Sequence, residues 1–193
     1  MKTLVKICGI TDCGFAEEAE RLGVDFLGFI FHGKSPRNIS VENAREIRKR
    51  ITCRAVGVFV LQKEEEIRKI AGEVGLDVIQ LHGIPDPELA ENLRKDFELW
   101  QAIRDESEAA FPADALLVDS SVPGSGQRSD WGLAEKLIGA GKRVVLAGGL
   151  SSENCADALK LHPYALDFNS SLETEQGKKS IQKLHKLIKE LEK

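Results

Sequence analysis

Two side chains able to move protons follow apolar runs that have the composition of β-strands. Cys8 comes directly after the run at 3–7, and Asp119 comes directly after the run at 115–118. A thiolate can take a proton from carbon and a carboxylic acid can give one to oxygen, so the pair suits acid/base isomerisation. Cys8 also precedes a predicted helix, whose N-terminus is expected to lower the pKa of the thiol. The alternatives are a buried, inert cysteine and an aspartate that caps its loop or the next helix.

Arg37 and His82 are further candidates for the same site. Arg37 follows Pro36 in a polar loop, where the rigid proline is expected to aim the guanidinium at a carboxylate or phosphate. His82 follows the apolar run at 78–81 and is expected to line the pocket. A solvated loop arginine and a hydrogen-bonded structural histidine are the alternatives for these two residues.

Small residues after the last two strand-like runs predict a phosphate site. Barrels often bind phosphate at this place through backbone N–H groups and the N-terminus of a short helix. Glycines also serve simply as turn residues, which is the alternative reading of the pattern. The predicted phosphate cradle, which needs no lysine, consists of Gly148, Gly149, Asn169, Ser170 and Ser171.

The elements that must position these residues alternate between strand and helix patterns. Eight strand-like runs begin near Thr3, Asp25, Arg54, Asp77, Glu98, Ala115, Arg143 and Ala165. Apolar residues at helical spacing follow each run, most weakly after Ile103, and the last helix is predicted from about Gly177 to Leu191. Eight βα units fit a closed barrel or an open doubly wound sheet. The first βα turn lacks the glycine-rich phosphate loop common in open sheets, which favours an α/β fold of the single-domain (β/α)8 TIM barrel type over residues 1–193.

Residues that start and stop helices lie close to the predicted strands, so short connections are expected. The predicted N-caps are Thr11, Ser40 and Ser151, and the predicted helix stops are Gly23, Gly75 and Gly141. The chain shows no linker and no low-complexity segment, in agreement with one near-minimal catalytic barrel domain.

The composition of the chain limits the classes of partner and the types of site that are expected. The net charge of −4 gives no basic footprint for nucleic acid, and no apolar run is long enough to span a bilayer or serve as a secretory signal. A cytoplasmic enzyme with a small-molecule substrate is therefore expected. The four cysteines are expected to be reduced, and the scattered cysteines and histidines predict no metal site.

The sequence motifs of this chain, in their residues and in their order, closely resemble those of the phosphoribosylanthranilate isomerase family over nearly the whole chain. The matching segments are KICGIT at 6–11, SPR at 35–37, QLHG at 80–83, Asp119 with GSG at 124–126 and DW at 130–131, LAGGL at 146–150, and DFNSSLE at 167–173. The chain departs from the family pattern at Pro123 and Ser171, where glycine is usual.

The resemblance implies a cofactor-free enzyme of tryptophan biosynthesis. It would rearrange N-(5-phosphoribosyl)anthranilate to 1-(2-carboxyphenylamino)-1-deoxyribulose 5-phosphate, an Amadori reaction at the third committed stage of the pathway, as a monomer or homodimer. By resemblance, Asp119 would be the general acid that opens the sugar ring and Cys8 the general base that takes the C2 proton. Arg37 would hold the anthranilate carboxylate, and Gln80, His82 and Asp167 would line the pocket.

Two other functions stay open at this point. One is another sugar-phosphate isomerase on the same barrel; an isomerase of the histidine-pathway aminoaldose would be expected to carry an aspartate in place of Cys8, and a metal-dependent epimerase would need rim ligands. The other is a barrel that binds a phosphorylated ligand without turnover. Cys8 argues against the other isomerases, and the presence of both Cys8 and Asp119 argues against a barrel without turnover.

Overall fold

Eight parallel strands form a closed barrel in the computed structural model, which describes residues 2–83, 86–119 and 131–193. Each strand pairs with the next along the chain, and β8 pairs with β1 with Leu4 opposite Ala165. The strands are β1 Leu4–Cys8, β2 Phe26–Ile30, β3 Arg54–Val60, β4 Val78–His82, β5 Glu98–Ile103, β6 Ala115–Val118, β7 Val144–Leu146 and β8 Ala165–Phe168. The barrel prediction is confirmed, and each strand begins within one residue of the predicted position.

Helices connect the strands on the outside of the barrel. They are α1 Cys13–Arg21, α2 Val41–Arg48, α3 Glu64–Val74, α4 Pro87–Leu93, α5 Trp131–Gly139, α6 Cys155–Leu159 and α7 Ile181–Leu191. Within the described part of the chain, none of the helices is long and apolar enough to cross a membrane. The loop at 120–126 and Asp130, which carry the GSG motif and the possible cap of α5, lie outside the described residues.

Two connections differ from the predicted helices. The segment after β5 is a short 3-10 helix, Glu106–Ala110, rather than an α-helix. Pro112 explains its end, because a proline forces the preceding residue out of the helical region and Phe111 has ψ 139. After β8 the chain forms a 3-10 helix, Ser170–Leu172, and a small hairpin of β9 Glu173–Glu175 and β10 Lys178–Lys179. The last helix therefore begins at Ile181, not near Gly177.

The predicted helix boundaries hold in part. Ser40 caps α2 as predicted, and all three predicted stop glycines have positive φ. Asp12 rather than Thr11 caps α1, since its side chain accepts from the N–H of Phe15 at 2.7 Å. Asn154 rather than Ser151 stands at the N-cap of α6, and the Ser151 hydroxyl instead accepts from Glu153 N–H in the preceding turn.

The barrel interior is apolar toward the N-terminal ends of the strands and polar toward their C-terminal ends. Phe26 and Trp100 meet edge to face at 4.9 Å between ring centroids and fill the lower part with small aliphatic side chains. Above them, Lys6, Gln80 and Asp167 are buried polar residues. A packed lower core thus confines the polar chemistry to the rim where the strands end.

Candidate active site

A cavity of about 540 Å³ opens at the C-terminal ends of the strands. It collects ten of the eleven residues that the sequence predicts for the site: Cys8, Arg37, Gln80, His82, Asp119, Gly148, Gly149, Asp167, Asn169 and Ser170. Ser171 lies in the adjoining 3-10 helix and does not line the cavity. The parallel barrel therefore brings residues from β1, β4, β6 and β8 to one place.

Cys8 is buried at the end of β1, but not in the electrostatic setting that the sequence suggested. Helix α1 begins only at Cys13, and Asp12 occupies its N-cap. Burial raises the pKa of the Cys8 thiol above its ordinary value; the charges of Lys6 and Lys179 oppose this shift and Asp167 adds to it, and the pKa stays raised. The expected lowering by a helix N-terminus is therefore wrong, and lysine side chains supply the opposing positive charge.

Lys6 and Asp167 form a buried ion pair across neighbouring strands. Their register places them opposite each other on β1 and β8, and Lys6 Nζ lies 2.6 Å from Asp167 Oδ2. Burial lowers the pKa of Lys6, but attraction to Asp167 and Cys8 raises it by more, so the ammonium stays protonated. Lys6 was not among the predicted site residues, although a lysine in the middle of an apolar strand is a signal, because a buried charge needs a partner.

Arg37 is held by a second buried carboxylate. Its Nε and Nη2 atoms donate to the two oxygens of Glu173 at 2.7 and 2.9 Å, and Lys179 Nζ donates to the same carboxylate at 2.9 Å. The alternative of a solvated loop arginine is excluded, since Arg37 is only 6% exposed. Glu173 ends the DFNSSLE motif, but the sequence assigned it no role, and Lys179 was not singled out because it lies in a polar stretch typical of the surface.

Gln80 and His82 form a polar pair on the β4 side of the cavity. The Gln80 amide Nε2 lies 2.7 Å from His82 Nε2, and as donor it leaves the ring proton on Nδ1. Burial, and then the charge of Lys6, lowers the pKa of His82 to about 4, so the imidazole is neutral near pH 7. Gln80 Oε1 and Asp167 Oδ1 are buried without a hydrogen-bond partner among the described residues. Both residues border the cavity, so these oxygens are able to accept from hydroxyl groups of a ligand.

Asp119 lies one residue beyond β6 and is half-buried at the cavity wall. Its strand stands well around the barrel from β1, so Asp119 and Cys8 approach the cavity from different sides. A ligand between them would meet an acid and a base on separate faces, which is the arrangement that coupled proton transfers require.

The glycine and serine loops after β7 and β8 face the same cavity. Gly148 and Gly149 have φ of 78 and 64, and the Asn154 side chain fixes their loop by donating to Gly149 O at 2.8 Å. Asn169 is fixed by Lys179, whose Nζ donates to its backbone oxygen at 3.0 Å and to its Oδ1 at 2.7 Å. Although no lysine was predicted at this loop, Lys179 contacts it. Over the described ranges, no three His, Cys, Asp or Glu side chains are grouped to hold a metal ion.

Comparisons with known proteins agree with this architecture. The family profile described as N-(5'-phosphoribosyl)anthranilate (PRA) isomerase matches residues 5–190. A relative with that name from Citrifermentans bemidjiense is 39% identical over 202 residues, covering 99% of this chain and 98% of its own.

Solved structures extend the likeness to the whole barrel. Phosphoribosyl anthranilate isomerase from Thermus thermophilus superposes with a TM-score of 0.94 at 41% identity, covering 98% of both chains. A phosphoribosyl anthranilate isomerase in complex with reduced 1-(o-carboxyphenylamino)-1-deoxyribulose 5-phosphate has a TM-score of 0.88 at 31% identity, covering 99% of both. A structure of monomers generated from the dimeric enzyme of Thermotoga maritima matches at 33% identity and a TM-score of 0.88, with 99% of both chains covered. The chain therefore belongs to the N-(5'-phosphoribosyl)anthranilate isomerase family.

Proposed function

We propose that the chain converts N-(5-phosphoribosyl)anthranilate to 1-(2-carboxyphenylamino)-1-deoxyribulose 5-phosphate with Asp119 as general acid and Cys8 as general base. The observation that carries the proposal is that both residues line one cavity at the C-terminal end of the barrel of a family member. Acid and base residues of barrel enzymes lie at this end.

The reaction follows from the chemistry of the two groups. Asp119 gives its proton to the ring oxygen of the furanose, the C1–O bond breaks, and the nitrogen lone pair forms an iminium at C1. The Cys8 thiolate then takes the C2 proton, and the C–H electron pair moves to form the enolamine. Tautomerisation of the enolamine gives the ketone. Two protons move between side chains and substrate, and no electrons are exchanged with a cofactor.

The other cavity residues have binding roles in this proposal. Nη1 is the guanidinium nitrogen of Arg37 that does not bind Glu173, and it would donate to the anthranilate carboxylate. Gln80, His82 and Asp167 would meet the sugar hydroxyls. The phosphate would bind between the two fixed loops, with donors from Gly148, Gly149, Asn169 and Ser170. Ser171, which does not line the cavity, is not assigned a phosphate contact.

The working form of the protein also belongs to the proposal. We place the enzyme in the cytoplasm as a monomer or homodimer, with its small-molecule substrate and without nucleic acid or membrane partners. Catalysis without a metal stays a prediction, which activity after prolonged chelation would check.

Replacing the acid and the base tests the assignment. Cys8→Ser and Asp119→Asn should each lower kcat by roughly a hundredfold to ten-thousandfold, the usual contribution of one general acid or base. Turnover is followed by the fluorescence of the anthranilate substrate. Matched controls are Cys155→Ser, a buried cysteine in α6, and Asp114→Asn, just before the start of β6. Near wild-type kcat in Cys8→Ser or Asp119→Asn would show that the assigned role is wrong.

The same assay separates the alternative functions. A wild-type protein that binds a product analogue tightly but does not turn over fresh substrate would be a binding barrel. Turnover of a different aminoaldose phosphate, with none of phosphoribosylanthranilate, would indicate another isomerase on this fold.

A further inference from the structure

In the described part of the chain, five buried charged side chains lie around Cys8, and their charges do not cancel. This charged cluster consists of Lys6, Arg37, Asp167, Glu173 and Lys179. None of the five side chains is more than 7% exposed. Three cations against two carboxylates leave one positive charge in excess (3 − 2 = +1).

An unmatched charge in this place is costly. The cluster lies between the β1 and β8 ends and the β9–β10 hairpin, where the side chains have almost no contact with water. Because an ion buried without a partner loses its hydration, an excess cation favours the ionisation of any nearby group that can become an anion.

The Cys8 thiol is placed to be that group. Gly28 faces Cys8 in the β1–β2 register, and a Cβ at Gly28 would lie 2.9 Å from Cys8 Sγ and 3.3 Å from Lys6 Cε. The sulfur and the end of the lysine stem therefore share the space above a residue without a side chain. A negative charge on Cys8 raises the pKa of Lys6, Arg37 and Lys179. Burial acts in the other direction, since it leaves the pKa of Lys179 below and that of Cys8 above the ordinary value, so the ionised thiol depends on these cations.

Among the residues that the structure describes, the other titratable neighbours do not supply the missing anion. His82 faces the cavity from β4 and is neutral, with its pKa at about 4. Asp167 is already paired with Lys6, and Glu173 with Arg37 and Lys179. Asp119, one residue beyond β6, lines the same cavity and is the proposed acid.

We propose that the Cys8 thiolate is the third anion of the charged cluster, and that Lys6 and Lys179 are positioning residues that favour its ionisation against the cost of burial, ready for proton abstraction. The proposal rests on the proposed function of Cys8 as the base. When Cys8 takes the C2 proton, an S–H bond replaces the C–H bond and the electron pair enters the enolamine. The cluster then returns to its excess of one positive charge, which favours the return of the proton to solvent.

The charge count predicts the sign of each substitution. Lys179→Met makes the cluster neutral without the thiolate, and Glu173 keeps its two bonds from Arg37. Asp167→Asn increases the excess to two. The pH midpoint of Cys8 ionisation should therefore rise by about one unit or more in the first variant and fall in the second, since one neighbouring charge shifts such a midpoint by about 1–3 units. The double variant should return close to the wild-type midpoint.

The measurement is the rate of iodoacetamide labelling of Cys8 against pH in the folded protein without substrate, read by mass spectrometry of the Cys8 peptide. Lys179→Arg should restore the wild-type midpoint. The matched control is Arg143→Met, which removes one of the two arginines that bind Glu98 at the other end of the barrel. This variant should leave the pH midpoint of Cys8 labelling unchanged. In Lys179→Met, kcat at pH 7 should fall about tenfold and recover toward pH 9.

Several results would overturn the inference. Equal midpoints in the wild type and Lys179→Met, or shifts of the same sign in Lys179→Met and Asp167→Asn, would show that the cluster does not set the charge of Cys8. Because labelling needs no turnover, this outcome is distinct from failure of the proposed function, which near wild-type kcat in Cys8→Ser would reveal.

Discussion

The two ends of the barrel hold a glutamate in similar ways but in different surroundings. At the N-terminal end, Glu98 accepts from Arg54 at 2.7 Å, from Arg143 at 3.1 Å and from the indole of Trp100 at 2.8 Å. At the C-terminal end, Glu173 accepts from Arg37 and Lys179. The side chains of Arg54 and Arg143 are 40% and 46% exposed, whereas those of Arg37 and Lys179 are 7% and 3% exposed.

The different hydration of the two ends implies different roles for their ion pairs. Water solvates the extra arginine at the N-terminal end, and both guanidinium groups also stack on aromatic rings, Arg143 at 3.9 Å from the Tyr164 centroid and Arg54 at 5.1 Å from the Phe26 centroid. At the C-terminal end the charges must be matched inside the protein. The solvent-exposed ion pairs around Glu98 therefore have a structural role. The buried ion pairs around Glu173 can also influence the protonation of neighbouring groups such as Cys8.

The largest expected difference between the ends concerns stability. Lys6→Met leaves the buried Asp167 carboxylate without its cation and should lower the free energy of unfolding by about 3–5 kcal/mol. Arg143→Met, which leaves Glu98 with Arg54, should lower it by about 1 kcal/mol or less. Urea unfolding at pH 7 measures both.

A double variant checks the cause of that loss. Lys6→Met/Asp167→Leu removes both charges and should recover most of the free energy, because a buried ion pair is often no better than apolar packing. If Lys6→Met lowers the free energy of unfolding by no more than Arg143→Met does, the ion pairs at the two ends do not differ in their contribution to stability.

A smaller difference is expected in substrate recognition. Arg37→Ala should raise KM roughly 10- to 150-fold, which corresponds to about 1.5–3 kcal/mol for a lost charge-assisted contact, with a smaller fall in kcat. Arg54→Ala, at the N-terminal end, should leave KM unchanged. A substrate analogue without the anthranilate carboxylate should lose the discrimination between wild type and Arg37→Ala; equal preference in both proteins for the carboxylate would contradict the role of Arg37.

The smallest expected difference between the two ends is in how much each glutamate contributes to the loss of stability at acidic pH. Burial raises the pKa of Glu173, but the bonds from Arg37 and Lys179 lower it by more, to about 2 from an ordinary 4.5. A carboxyl with a depressed folded-state pKa stabilises the protein fully above its unfolded pKa, and this contribution is lost as the pH falls from about 4.5 toward 2. Glu173→Gln should therefore flatten the loss of stability over that range.

Glu98→Gln is the matched variant at the N-terminal end. Its carboxyl also has a lowered pKa, but exposed arginines hold it. Thermal unfolding at several pH values should show a weaker flattening in Glu98→Gln than in Glu173→Gln. An equal or larger effect of Glu98→Gln would contradict the comparison.

Much of the fold and of the candidate site is predictable from local patterns. Strand starts follow from apolar runs, and the residue after each run lies at the rim because all strands of a closed barrel run parallel. Cys8 and Asp119 were found in this way. The 3-10 helix after β5 and the hairpin after β8 were not predicted, since Pro112 and the tight turn at Gly177 override a weak helical pattern.

The sequence by itself determined the eight βα units, the family motifs and the set of polar residues that reach one rim, because periodicity and strand direction are local properties. Only the tertiary structure decided the charge state of that rim. Lys6 meets Asp167 through the register of the first and last strands, and Glu173 meets Arg37 across 136 positions of the chain. The protonation of Cys8 depends on these long-range partners and on the exclusion of water, and neither can be predicted from the residues next to Cys8 in the sequence.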